Sequence, residues 1–328
     1  MKQNYILASL LMLLSAALNA QSTNALNFDG INDVVAINNV TTASFTLEAN
    51  IKLLSNSPTG SVAYQGAGIM DSDVGGNAND FAFSVLNNKL SFWDGSLNQT
   101  LNGNINLFDG NWHHVALVRD ENVGAALYVD GVLDNQLNVA SAVVLNSNPN
   151  IYIGAAYIDS RYLNVDIAEV RIWNTARTAT EINSNKSVRL TLPQTGLVSY
   201  YKFNQGTANG NNTSETSLID ELGSNNGTLY NFALTGASSN WIGSTLTLST
   251  DKFNGVNNSI KLYPNPSSDF IQISALTKTE NYAIYNVSGS EVKSGTIDSN
   301  TKINIQSLTN GAYFLKLNGG NAIKFIKK

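Results

Sequence analysis

The stretch FDGNWHHVALVRD, residues 108–120, sets His113 and His114, the two histidines of the chain, side by side. Paired imidazoles suggest a metal site or a proton-transfer pair, because a neutral imidazole is both a common metal ligand and a base near neutral pH. The run HHVALVRD alternates like a strand, however, and neighbours on a strand face opposite sides of the sheet. The two rings then cannot hold one ion. His114 would share a face with Trp112, Ala116 and Val118 as a core histidine, and His113 one with Val115, Leu117 and Arg119. Cysteine is absent, so a zinc site would have to recruit carboxylates and a thiolate nucleophile is excluded. Both histidines are read as structural.

Other residues offer binding chemistry. The loop DSDVGGNAND presents Asp71, Asp73, Asn77, Asn79 and Asp80 around two glycines. Calcium takes several oxygen ligands from a flexible loop, so Ca2+ is the candidate cofactor; the alternative is a solvated polar turn. The bidentate Glu of an EF-hand is here Ala82. For a sugar, Trp93, Tyr64, Tyr157 and Tyr162 lie in or beside expected loops, where a ring can stack on a pyranose face. Aromatic rings equally fill sandwich cores, the role expected of Trp112 and Trp173, whereas Trp93, followed by Asp94-Gly95, is expected at the surface. No Gly-x-Ser-x-Gly elbow, His-Glu-x-x-His or P-loop occurs, and no catalytic residue is assigned.

The elements that must position these residues are strands. Short alternating runs such as SFTLEANIKL, NDFAFSVLNNKLSFWDG, AALYVDGVL, NIYIGAAY and VDIAEVRIWN are punctuated by Gly, Asn and Asp. That spacing predicts an all-β sandwich or jelly roll. Asp130-Gly131 and Asn87-Asn88 are hairpin turns, since both central residues must accept positive φ. The one helix-like piece is TARTATEINSN, after Trp173. Near residues 243–260 the pattern loosens into a linker, and from Lys261 a second small set of strands begins.

Composition narrows the partners. Charged residues make up 13% of the 328 and the net charge is −5; no basic run precedes the last few residues, so nucleic acid is not expected as a partner. Lys2 and the apolar run Tyr5 to Leu18, ending at small Ala20, read as a signal peptide over 1–20. The run is too short for a transmembrane span and no later stretch replaces it. An exported, soluble protein is expected.

Four motifs occur in order at the end of the chain: LYPNPSSDFIQIS, YNVSGSEV, LTNGAYFLKL and KFIKK. The series over 261–328 resembles the C-terminal sorting domain of the type IX secretion system of Bacteroidota. That resemblance implies a small β-sandwich read by the outer-membrane translocon, and cargo that is secreted or held on the outer surface of a Gram-negative cell. Its carriers are Pro264, Asn265, Pro266, Gly289, Gly311, Tyr313, Lys324, Lys327 and Lys328. The two prolines stiffen the first strand's entry, the two glycines are expected at turns needing positive φ, and the three lysines form an exposed basic end.

Residues 21–242 resemble the LamG-like, concanavalin A-like jelly-roll family, through LNFDGINDVVAI, FTLEANIKL, NWHHVALVRDENVGAALYVDGVLDN and IAEVRIWNTART. The resemblance implies a binding sandwich for sugars or proteins, and makes Asn27, Asp29, Asn32 and Asp33 a turn before an edge strand. Glucanases of the superfamily carry Glu-x-Asp-x-x-Glu on one strand. Here the match is Asn164, Asp166 and Glu169, with Asn at the nucleophile position, and on a regular strand Asp166 and Glu169 face opposite sides. The acidic run by which related pentraxins bind calcium is replaced by Ala155-Ala156-Tyr157. The expectation is a non-catalytic module for glycans or surface glycoproteins. A glycoside hydrolase and a self-associating adhesin are the alternatives.

Overall fold

The computed structural model describes residues 24–76, 78–246, 248–250, 262–273, 279–287, 290–298, 301–317 and 322–328. The expected signal peptide, residues 251–260 of the expected linker, Asn77 and Gly289 lie outside them. Two compact units divide the chain, Met1–Thr250 and Asp251–Lys328.

The alternating runs of the first unit become β1 (Asn24–Asp29), β2 (Val34–Asn38), β3 (Phe45–Leu53), β4 (Ala67–Asp71), β5 (Phe81–Leu86), β6 (Lys89–Asp94) and β7 (Gln99–Asn102). There follow β8 (His113–Asp120), β9 (Gly124–Val129), β10 (Val132–Leu137), β11 (Asn150–Ile153), β12 (Ala155–Ala156), β13 (Arg161–Tyr162) and β14 (Asn164–Trp173). Helix α1 (Ala179–Asn185) precedes β15 (Val188–Arg189), β16 (Leu197–Tyr201), β17 (Ser217–Leu218), β18 (Gly227–Tyr230), β19 (Trp241–Gly243) and β20 (Ser249–Thr250).

These strands form a jelly-roll sandwich. One sheet runs β10-β9-β8-β3-β14-β1-β19, with β16 also on β14; the other runs β17-β18-β2-β11-β4-β5-β6-β7. Their inner faces share one core, in which Leu47, Ile51, Leu117 and Ile167 of the first sheet meet Val35, Phe83, Phe92 and Ile151 of the second. Burial of these faces drives the assembly, at roughly 1.5–3 kcal/mol for each large apolar side chain. Arg119 of β8 crosses the sandwich to Asp94 of β6 at 2.8 Å, both side chains buried. The hairpins turn where expected, with φ of 53° and 60° at Asn87 and Asn88 and 50° and 78° at Asp130 and Gly131. Thr178 and Glu181 form a capping box on α1.

Several expectations about the strands of this unit change. The turn over Asn27–Asp33 does not lead to an edge strand: β2 lies between β18 and β11, inside its sheet. Asp33 is buried there, accepting from the Asp29 amide at 3.0 Å and from Ser239 Oγ at 2.8 Å. The first unit also runs past residue 242, because β20 pairs in parallel with β15. Finally, the face of β8 that carries His114, Ala116 and Val118 is not the main core. Val115 and Leu117 point into that core, with His113 at its rim, while Ala116 and Val118 pack on Tyr128 and on Ile182 of α1.

The second unit has strands β21 (Leu262–Tyr263), β22 (Phe270–Ile273), β23 (Glu280–Asn286), β24 (Glu291–Ile297), β25 (Lys302–Asn304), β26 (Gly311–Leu317) and β27 (Ala322–Lys327). They form sheets β21-β22-β25 and β24-β23-β26-β27 around Ile271, Ile284, Ile303, Leu315 and Phe325. Asn265, between Pro264 and Pro266, accepts from the Ile326 amide at 2.9 Å and donates to the Lys324 carbonyl at 3.1 Å, so the first motif clasps the last strand. Tyr313 stacks on Phe325 and its hydroxyl donates to the Thr309 carbonyl. Gly311 has the expected positive φ, 159°, but it opens strand β26 rather than sitting in a turn. Lys324 and Lys328 are exposed, but Lys327 is buried and bridges to Ser267. The basic end is therefore a strand with two exposed lysines.

Candidate functional site

The carboxylate pair of β14 sits on the outer face of the first sheet. A bulge interrupts the pairing with β3 between Ala168 and Arg171, and Glu169 has φ of 55°. The extra residue shifts the alternation: Ile167 and Val170 both face the core. Asp166 and Glu169 therefore lie on the same face, contrary to the regular-strand expectation. They are nonetheless engaged. Asp166 accepts from Asn27 Nδ2 at 2.7 Å. One Glu169 oxygen meets Arg189 at 2.7 Å and the other the Tyr200 hydroxyl.

Beside Glu169 is a buried ion network that sequence inspection missed. Glu48 of β3, fully buried, meets His114 Nε2 at 3.0 Å, Arg171 at 3.3 Å and Arg177 at 3.7 Å. Burial alone would raise its carboxyl. The His114 hydrogen bond and the Arg171 charge overcome that and hold it at about 2. His113, on the other face, is bracketed by Asp130 at 2.8 Å and Asp109 at 3.1 Å, and the Asp130 hydrogen bond raises its pKa. Both histidines are thus held by carboxylates of the fold. Trp173 is buried as expected, but Trp112 is half-buried and lines a cavity of about 340 Å³ with Lys52 and Asn111.

The outer face of the second sheet has a different character. Its register aligns one row across seven strands: Thr228, Ala36, Tyr152, Asp71, Ala82, Trp93 and Thr100. Their sequence neighbours Val35, Ile37, Ile151, Ile153, Phe81, Phe83 and Phe92 fill the core, so alternation turns the row outward. At one end lies a cavity of about 300 Å³ lined by Ala36, Asn38, Asn150, Tyr152, Tyr157, Asn226, Thr228 and Tyr230. Tyr157 stacks on Tyr152 with ring centroids 4.5 Å apart and planes at 22°. Tyr157 and Tyr230 are each about half exposed. The lining side chains carry no formal charge: rings, amides and a hydroxyl.

At the other end, about 380 Å³ is enclosed by Tyr64, Asp73, Gly75, Gly76, Trp93, Asn98 and Asp159. Trp93 is 7% exposed, packed on Ala63 and Ala82, and meets Tyr64 edge-on at 5.0 Å. The expectation of an exposed Trp93 fails because the 3-10 turn Ala63–Gln65 crosses over it. Of the aromatics picked out in the sequence, Tyr64 and Trp93 share this cavity, Tyr157 lines the first, and Tyr162 lines neither. Tyr152 and Tyr230 were missed. The alternation in NIYIG, which opposes Tyr152 to Ile151 and Ile153, was the available signal for the former.

The Asp71–Asp80 loop borders the second cavity. Its carboxylates cap its own backbone: Asp71 accepts from the Asp73 amide, Asp73 from Gly75 and Asp80 from Val74, at 3.0, 2.6 and 3.0 Å. Asn79 is exposed. Among the described residues no group of three or more His, Cys, Asp or Glu is arranged to hold a metal ion. Burial raises the pKa of Asp71 well above 3.8 and pushes Asp80, like Asp33, up to about 6. A carboxyl raised on folding stabilises the fold while protonated and loses that contribution as pH rises through the folded value. The melting midpoint is therefore expected to fall between about pH 4 and about pH 7, with His113 adding to the fall at the upper end. Thermal melts across that window test this, and Asp80→Asn should flatten the slope.

The comparisons with known proteins agree with this architecture. Residues 29–183 match the family described as the concanavalin A-like lectin/glucanases superfamily, and residues 261–328 match the secretion system C-terminal sorting domain. A candidate carbohydrate-binding protein from Bacteroides ovatus is similar in structure, with TM-score 0.50 and 24% identity over 63% of this chain. The chain spans 58% of that protein. A heptameric SAP-like pentraxin from Limulus polyphemus is more distant, at TM-score 0.39 and 16% identity over 52% of this chain and 84% of that one. The CBM40 module of a Ruminococcus gnavus IT-sialidase also has TM-score 0.39, at 14% identity over 49% and 96%. No curated protein sequence matches. Among the described residues no helix is long and apolar enough to cross a membrane.

Proposed function

We propose that this pairing of a concanavalin A-like domain with a secretion-system sorting domain is an exported, non-catalytic glycan-binding protein. It leaves the cell through the type IX system and binds sugar on the outer face of its second sheet. The observation that carries the reading is the cavity over Thr228, Ala36 and Tyr152, where three tyrosines meet three asparagines and a threonine. Aromatic faces bury the apolar face of a sugar ring, and neutral amides supply donors and acceptors for its hydroxyls; sites of this mixed kind fix orientation with few polar groups. The fold is shared with a candidate carbohydrate-binding protein, but the reading rests on these side chains. Glycoside hydrolysis is disfavoured because Glu169 spends both oxygens on Arg189 and Tyr200.

A glycan array probed with the whole exported chain tests the reading. Signal from defined glycans that Tyr157→Ala removes would support it, and a blank array would end it. Export has its own test: deletion of residues 261–328 is expected to retain the protein inside the cell, and normal secretion of the truncated chain would refute the sorting role. Calcium enters only as a proposal, with Asp71 Oδ2 and Asp80 Oδ1, buried and lacking hydrogen-bond partners, as its donors. A melting midpoint that rises with calcium concentration and returns in chelator would be its signature.

A further inference from the structure

The two cavities of the second sheet lie on one cross-strand row. Tyr152 belongs to β11 and Trp93 to β6, three strand spacings apart through Asp71 and Ala82, or about 14 Å at the usual spacing. The middle of the row is roofed. Ala63 covers Ala82 and Trp93, its amide donating to Thr100 Oγ1 at 3.2 Å and its carbonyl accepting from Ser84 Oγ at 2.8 Å. The β12–β13 hairpin lies over β4, where a Cβ on Gly68 would come within 2.5 Å of the Ala155 carbonyl oxygen. Arg161 ties the two roofs together, donating to the Gly66 carbonyl at 2.8 Å and to that of Tyr64.

The roof is one turn thick where it divides the cavities. The 3-10 turn Tyr157–Asp159 gives Tyr157 to the first cavity and Asp159 to the second. Between them Ile158 is 55% exposed. A ligand that leaves the tyrosine cavity over Ile158 arrives at Tyr64 and Asp159. The charges at the two ends differ. The first cavity is neutral, whereas the second presents Asp73 and Asp159, the latter paired with Arg161 at 2.7 Å, with Asp71 and Asp80 buried behind.

We propose that the two cavities are subsites of one extended site, which takes a linear, uncharged glycan laid across the strands and over Ile158. This rests on the glycan-binding reading above and adds to it the ligand's length and charge. Joining two subsites makes the second contact intramolecular, so a chain long enough to reach both gains affinity without either subsite being strong. A polymer bearing carboxylates or sulfates meets like charge at the Asp73 and Asp159 end and is disfavoured.

The test is calorimetric titration of the whole chain with one- to six-unit series of β-1,4-linked glucose, mannose and xylose, with oligogalacturonates as the charged counterpart. For the series that binds, affinity is expected to rise at least about tenfold between the two- and six-unit members, and the oligogalacturonates to bind more weakly. Tyr64→Ala should weaken the six-unit ligand and spare the two-unit one, while Tyr230→Ala should weaken both. Affinity that stops growing at two units, or a Tyr64→Ala effect that is the same on short and long ligands, would overturn the extended site and leave a single-cavity glycan binder standing. Tighter binding of the oligogalacturonates would overturn the charge assignment. Failure of every neutral series would sink the extended site, and the glycan array separates that outcome from failure of the glycan reading itself.

Discussion

Glu48→Ala is expected to destabilise the jelly roll by about 3–5 kcal/mol, the usual cost of removing one member of a buried ion pair. Arg171 is fully buried and has Glu48 at 3.3 Å and Glu169 at 3.7 Å. Without Glu48 it loses its nearer counter-charge, and His114 loses the acceptor of its Nε2 contact. Desolvation of the orphaned guanidinium is then uncompensated, and water cannot easily replace the carboxylate beneath α1. Glu48→Gln should be nearly as harmful, because shape is kept but charge is not. The decisive comparison is Glu48→Leu combined with Arg171→Met. If the network acts through paired charge, the double variant should cost less than the sum of the single ones by at least about 1 kcal/mol. Strict additivity in denaturant melts would show that the two residues act independently. Glu48, held at about 2, should also lose its contribution as pH falls from above 4.5 through that value, opposite in sign to Asp33 and Asp80.

The second large effect concerns ligand. Tyr157→Ala and Tyr230→Ala are each expected to weaken glycan binding roughly tenfold or more, the scale of removing a central aromatic anchor. Tyr157→Phe should retain most of the affinity, because the stacked face on Tyr152 is kept and only the hydroxyl goes. Trp93→Ala is a poorer probe: the ring packs on Ala63 and Ala82, so its loss would disturb the roof as well as the cavity. Melting curves should show the tyrosine variants folded at the wild-type midpoint within a few degrees, since both rings are about half exposed. A fall in affinity matched by an equal fall in stability would point to damage of the sheet rather than loss of a contact.

Parts of this fold are legible residue by residue. Asn87-Asn88 and Asp130-Gly131 announce their hairpins because positive φ is a local requirement that few residue pairs meet. The capping box Thr178–Glu181 is local in the same way. The failures share the opposite property. Trp93 next to Asp94-Gly95 looks like a surface residue until the turn at Ala63 folds over it. Glu48 in FTLEANIKL alternates outward and looks solvated until α1 covers that face. Glu169 changes face because of a single left-handed residue, which strict alternation cannot anticipate.

By itself, then, the sequence determined an all-β chain, its two families of strands, its hairpins, and the four ordered motifs of its C-terminal unit. These follow from side-chain period and turn chemistry, which act over a few residues. Only the tertiary structure decided which surface can bind. Ala36, Tyr152 and Tyr230 come together because β18, β2 and β11 pair in one register, and pairing between segments so far apart in the chain is set by how whole apolar faces bury one another, not by anything local to the residues that end up on the outside.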